Sequence, residues 1–144
     1  MKAYVLCGIP GSGKSTLAKQ LAEQHNATVH SFDDIPGSWG HHDIGGKFRR
    51  EWMDNIKADL QNGKSVVCDS IALTSVSRKW ILQELSGFSC EKNLVVKAVP
   101  VEVCLQRNKN RDRKAPDEHI RLTASLLEPP TKDEGWDAIY LSRE

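Results

Sequence analysis

Between an apolar run and an amphipathic one, the chain carries the octapeptide GIPGSGKS at residues 8–15. Its pattern, Gly-x-x-x-x-Gly-Lys-Ser, constrains the fold more than any other stretch, because it works only where a strand turns sharply into a helix. Gly8, Gly11 and Gly13 permit backbone angles that side chains resist, so consecutive N–H groups can turn inward on phosphate oxygens. A helix starting near Lys14 adds its positive end. By spacing, Lys14 reaches the β- and γ-phosphates, Ser15 ligands Mg²⁺ and Thr16 touches the α-phosphate, while Gly11, Ser12 and Gly13 line the loop. The plain alternative is a tight glycine turn beside a solvated lysine, and it leaves the full match in its strand–helix setting unexplained. The pattern predicts a nucleoside-triphosphate site. It does not say what reaction follows.

The flanks supply that setting. AYVLC (3–7) is continuously apolar, as a central strand covered on both faces should be. Residues 14–24 place Leu17, Ala18, Leu21 and Ala22 at helical spacing. ATVHSF (27–32), SVVCD (65–69), NLVVKAV (93–99) and AIYLS (138–142) read as further strands. Between them, helices are expected over 47–62, stopped by Gly63, and near 75–86 and 101–110, with another begun by Pro116. Strands alternating with helices predict a three-layer α/β domain with a mainly parallel sheet, one domain over 1–144. Ligands of such sheets bind beyond the strands' carboxyl ends, where Gly8, Asp33 and Asp69 fall.

Composition narrows the partners. Twenty basic residues against nineteen acidic ones leave a net charge of +1, so no broad electrostatic footprint for nucleic acid is present. The four cysteines (Cys7, Cys68, Cys90, Cys104) show no CxxC spacing, which argues against zinc and redox motifs; Cys7 and Cys68 end strand-like runs, as small buried hydrophobes in a reducing compartment would. Met1-Lys2 leads straight into the first strand with no signal peptide, and no apolar run could span a bilayer. A soluble, cytoplasmic protein is expected.

Three chemistries commonly follow a phosphate loop of this kind. A base-reading N-K-x-D for GTP fails in NKNR (108–111), and a motor's paired acids fail because Ser70 follows Asp69. A kinase instead needs a base near the acceptor hydroxyl and cations round the moving phosphoryl group. SFDDI (31–35) offers Asp33 at the second strand's carboxyl end, able to accept a hydroxyl proton or orient the acceptor. The alternative is that Asp33 and Asp34 merely cap or end the strand, Asp34 being the cap of a turn before Pro36. Cations lie in RNKNRDRKAP (107–116): Arg107 and Arg111 are expected on one helix face, with Arg113 and Lys114 in a turn beyond. As a short basic lid they would offset charge at transfer; read blandly, they are solvated surface.

Taken together, GIPGSGKST, SFDDI, GKSVVCDS, VPVEVCLQRNKNRDRKAP and EPPTKDEGWDAIYL resemble the small P-loop kinases grouped with the kinase domain of phage-type polynucleotide 5′-hydroxyl kinase, an AAA-type ATP-binding family. The resemblance implies a sheet order 2-3-1-4-5, ATP and Mg²⁺ as cofactors, and γ-phosphoryl transfer to a hydroxyl, the 5′-end of DNA or RNA leading. It implies Asp33 as general base, Asp69 as organiser of the acceptor site, Arg111 as the lid arginine of the transition state and Arg107 as its support. One departure stands out. The polynucleotide kinases carry an arginine three residues beyond the base, to meet the acceptor's phosphate, and this chain has Pro36. Arg49 or Arg50 is the candidate substitute. A small-molecule acceptor (nucleoside, sugar or other metabolite) and a nucleotide-binding regulatory module with slow hydrolysis remain the alternatives.

GSWGHHD (37–43) is rich in groups able to touch an acceptor: Trp39 could stack on a base, and His41, His42 or Asp43 could meet phosphate. Trp52 and Trp80 lie on apolar helical stripes and are expected in the core, as is Trp136, which could otherwise pack near adenine.

Overall fold

A computed structural model describes residues 1–37, 46–70, 72–112 and 115–142. Five parallel strands form one sheet in the order β2-β3-β1-β4-β5. They are β1 (Lys2–Cys7), β2 (Thr28–Ser31), β3 (Val66–Asp69), β4 (Glu91–Lys97) and β5 (Ala138–Ser142). The helices are α1 (Lys14–His25), α2 (Lys47–Gln61), α3 (Ser75–Leu85), α4 (Val101–Asn108) and α5 (Asp117–Leu126). Both the P-loop NTPase architecture and the expected strand order are observed.

Alternation along the strands creates the layers. Ala3, Val5 and Cys7 of β1 face α2 and α3, packing with Trp52, Met53, Ile56, Leu60, Ile81 and Leu85. Tyr4 and Leu6 face the other way, onto Ala18 and the partly buried Leu17, Leu21 and Ala22 of α1. A continuous apolar run was required because both faces are covered. A third cluster, with Ile9, Cys104, Leu105 and Ile120, seats α4 and α5 against the end of β1. Cys7 and Cys68 are buried as expected, and so are Cys90 and Cys104. Among the described residues no helix is long and apolar enough to cross a membrane.

Local chemistry explains the helix boundaries. Trp52, Ile56 and Leu60 recur every fourth residue along α2 and are all buried. Gly63 beyond it takes φ 76°, a left-handed angle that other residues adopt at a cost. Thr74 and Ser77 form a reciprocal cap at the start of α3. β4 runs Glu91–Lys97 rather than over 93–99, and two other differences bear directly on the site. β2 ends at Ser31, and Phe32–Asp34 form a 3₁₀ turn, so Asp33 follows the strand by two residues. α4 ends at Asn108, whose buried amide donates to the Ala115 carbonyl at 2.6 Å and accepts from the Ala115 N–H at 3.0 Å. That pairing draws the chain back against the helix end, so Arg111 lies beyond the helix and shares no helical face with Arg107.

Candidate functional site at the phosphate loop

Register brings the candidate groups to one edge. Leu6 pairs with Asp69, Ser31 pairs with Asp69, and Cys7 pairs with Val96. The carboxyl ends of β2, β3, β1 and β4 therefore align, and the loop after β1 sits between Asp33 and Asp69 on one side and the end of β4 on the other. Gly11 has φ 84°, and a methyl group built on it would lie 2.6 Å from the Cys104 carbonyl oxygen. Only glycine lets the loop press so closely on α4. Gly13 has φ 95° and caps α1 without a side-chain hydrogen bond, leaving the helix's first N–H groups without side-chain capping at this position.

Asp69 is the electrostatic centre of the acidic side. Burial pushes its carboxyl above the usual range, and the nearby Asp33 and Asp34 push the same way. The charge of Lys14 and a hydrogen bond from the Ser15 side chain oppose them. Sequence reading assigned Asp69 to the acceptor and Ser15 to the metal; the fold sets their side chains against each other. The pair also suits Mg²⁺. A hydroxyl and one carboxylate supply two hard oxygens, and Mg²⁺ habitually completes its shell with phosphate oxygens and water. No group of three or more His, Cys, Asp or Glu residues forms a dedicated metal cage among the described residues. The loop also fits an anion: Ser12 is fully buried and its Oγ has no hydrogen-bond partner, a cost of about 1–3 kcal/mol that a phosphate oxygen would offset.

The basic side is more dispersed. Arg107 is half-buried and donates to the Gly11 carbonyl at 3.5 Å. Arg111 is tied through its backbone N–H to Asn108. At the start of α2, Arg49 lies 4.9 Å from the Trp80 ring centroid, within cation–π range. Arg50 pairs with Asp54 and with Glu84, which also holds Lys57. Arg50 is thus committed elsewhere. Trp52 and Trp136 are core residues, as expected, while Trp80 is half-buried beneath Arg49. Trp39, His41, His42, Asp43, Arg113 and Lys114 lie outside the described residues.

Two participants escaped sequence reading. Arg78 of α3 is fully buried beneath the site: Nε and Nη2 donate to Glu134 at 2.8 and 3.0 Å, and Nη1 donates to the Ala72 and Leu73 carbonyls at 3.0 Å each. It links the loop after β3 to the 3₁₀ turn Lys132–Glu134 and reaches the Cys7 thiol, immediately before Gly8. In the sequence it is one of two adjacent basic residues on a helix, with no signal to single it out. Lys97 closes β4 and reaches the loop from the side opposite Asp69. In the sequence it is a lone charge inside the apolar run NLVVKAV (93–99), and only the observed end of β4 places it at the strand's edge.

A family model described as an AAA domain matches residues 4–130. Among curated proteins no sequence matches. Solved structures resemble the fold at low identity. A sugar kinase from a Janibacter species is 19% identical, with 99% of this chain and 85% of that one covered and a TM-score of 0.77. Kti12 from Chaetomium thermophilum, in complex with ADP-AlF3, is 17% identical, covering 98% and 88%, at a TM-score of 0.73. A chain of the Pnkp1/Rnl/Hen1 RNA repair complex is 21% identical, covering 88% of this chain and 43% of that one, at 0.76.

Proposed function

We propose, from the premise that the chain belongs to the AAA-domain family, that it is an ATP- and Mg²⁺-dependent kinase transferring the γ-phosphoryl group to an alcohol. The observation carrying this reading is the convergence of Lys14, Ser15, Asp33 and Asp34 on the buried Asp69. A loop that only grips phosphate needs no exposed carboxylate beside it; a transferase needs one for the acceptor. In the proposed roles Lys14 and the loop amides hold the triphosphate, Ser15 and Asp69 hold Mg²⁺, and Asp69 also helps arrange the acceptor. Bound Mg²⁺ would withdraw charge from the phosphate oxygens. Asp33 takes the hydroxyl proton or orients the hydroxyl, and Arg107 and Arg111 offset charge on the transferring group.

For the acceptor, the ordered motifs favour the 5′-hydroxyl of a polynucleotide, and a repair-complex chain shares the fold. A specific observation favours a second reading, a sugar or other small metabolite. Pro36 stands where the polynucleotide kinases carry a phosphate-binding arginine, Arg50 is held by Asp54 and Glu84, and Arg49 stacks on Trp80. A sugar kinase shares the fold as well.

Labelled γ-phosphate transfer from ATP, offered to a 5′-hydroxyl oligonucleotide and in parallel to sugars and nucleosides, tests both. Lys14→Ala is expected to abolish transfer to whichever acceptor works. Asp33→Asn should keep nucleotide binding and lose transfer by about 10²–10⁴-fold. ATP hydrolysis without an acceptor, unchanged in Asp33→Asn, would instead identify a regulatory module.

A further inference from the structure

Lys97 ends β4, an interior strand, as Asp69 ends β3, but with the opposite charge. β4 lies between β1 and β5, and its residues alternate between layers: Val96 packs towards α2 and α3, and Val95 towards α1. Lys97, two residues beyond Val95, therefore points to the α1 side at the sheet's carboxyl edge. It lines a recess of about 370 Å³ with Gly13, Thr16, Leu17, Gln20 and Arg107, a size within the range of small-ligand sites. A methyl group built on Gly13 would lie 3.3 Å from Lys97 Cε, 4.0 Å from its Nζ and 3.5 Å from Arg107 Nη1. Two cations thus approach the same loop residue. The lining contains no carboxylate, and Lys97 has no ion-pair partner among the described residues.

The sheet order decides which end of a nucleotide meets this recess. Asp33 and Asp69 follow β2 and β3 on one side of the loop, whereas Lys97 follows β4 on the other. With the γ-phosphate held by Lys14 on the side of the loop where an acceptor would meet Asp33, the α-phosphate and nucleoside leave past Gly13 and Thr16, across β4. We propose that Lys97 is a nucleotide-binding residue of this chain, its ammonium donating to the α-phosphate of a nucleoside di- or triphosphate opposite Arg107. This inference rests on the kinase reading for the direction in which the nucleotide lies. An anion here stabilises a lysine whose stem is held half-buried against α1.

Displacement of a fluorescent ADP derivative by unlabelled ADP and ATP tests the assignment, using wild type, Lys97→Met, Lys97→Arg and Lys14→Met. Methionine keeps the aliphatic stem and removes the charge. Lys97→Met should weaken ADP and ATP by the same factor, about tenfold, with an unchanged melting temperature. Lys97→Arg should restore most of the affinity. Lys14→Met should weaken ATP more than ADP, since its contacts lie towards the γ end. Lys97→Met binding both nucleotides within about twofold of wild type, or arginine failing to rescue, overturns the assignment alone. Wild type binding neither nucleotide removes the kinase reading and this inference with it.

Discussion

Glu134→Gln isolates the buried arginine beneath the site. In the native protein Arg78 is fully inaccessible, and Glu134 receives two of its N–H groups at 2.8 and 3.0 Å as well as the Trp136 indole N–H at 3.0 Å. Glutamine preserves the size of the side chain but leaves a guanidinium charge buried with only carbonyl oxygens around it. Losing one partner of a buried pair costs about 3–5 kcal/mol, a large part of the roughly 5–15 kcal/mol that holds such a domain folded. Urea unfolding at pH 7 should show that loss as a lower midpoint with an unchanged slope. The pH dependence gives a second handle. Burial raises the Glu134 pKa, but hydrogen bonds from Arg78 and Trp136 and the Arg78 charge outweigh it, so the folded carboxyl lies below its usual value. The stabilisation is therefore complete above the unfolded pKa of about 4.3 and fades as pH falls through the folded value. Wild type and Glu134→Gln should converge in that acid window. A difference at pH 7 below about 1 kcal/mol, or one that persists undiminished in acid, would refute the assignment of the pair's strength to the buried charge.

Three further outcomes follow from the same geometry. Gly11→Ala must hold alanine at φ 84° against the Cys104 carbonyl; we expect a stability loss of at least about 1–2 kcal/mol and loss of nucleotide binding, measured by thermal melting and ADP titration. Asp69→Asn removes a carboxylate whose charge is disfavoured by burial, so above the folded pKa the ligand-free protein should gain about 0.5–2 kcal/mol while Mg²⁺-supported transfer collapses. The sign is set by the raised pKa: protonated Asp69 favours the fold, and that advantage is lost as pH rises through the folded value. Asn108→Ala breaks both bonds to Ala115; a destabilisation of about 1–3 kcal/mol is expected in chemical denaturation, with nucleotide affinity weakened through the loop that carries Arg111.

Much of the site was legible because its chemistry is local. GIPGSGKS needs only its own glycines and the helix that follows, and the expected roles of Lys14 and Ser15 depend on that turn alone. The strand and helix periods, the five strands and the core positions of Trp52 and Trp136 were likewise readable, since each is a property of a short window. Boundaries were harder. Arg107 and Arg111 sit four residues apart, which in an uninterrupted helix would share a face, but Ala115, seven residues on, returns to pair with Asn108 and the helix stops between them.

The sequence by itself determined a phosphate-gripping loop between a strand and a helix, and an α/β alternation around it, because backbone freedom and hydrophobic period act over a few residues. The tertiary structure alone decided that Asp69 meets Ser15 and Lys14, that Arg78 lies buried on Glu134, fifty-six residues away, and that the half-buried Lys97 reaches the loop. Those contacts join elements far apart in the chain. They exist only after parallel register has aligned the strand ends and assigned each side chain to one face of the sheet.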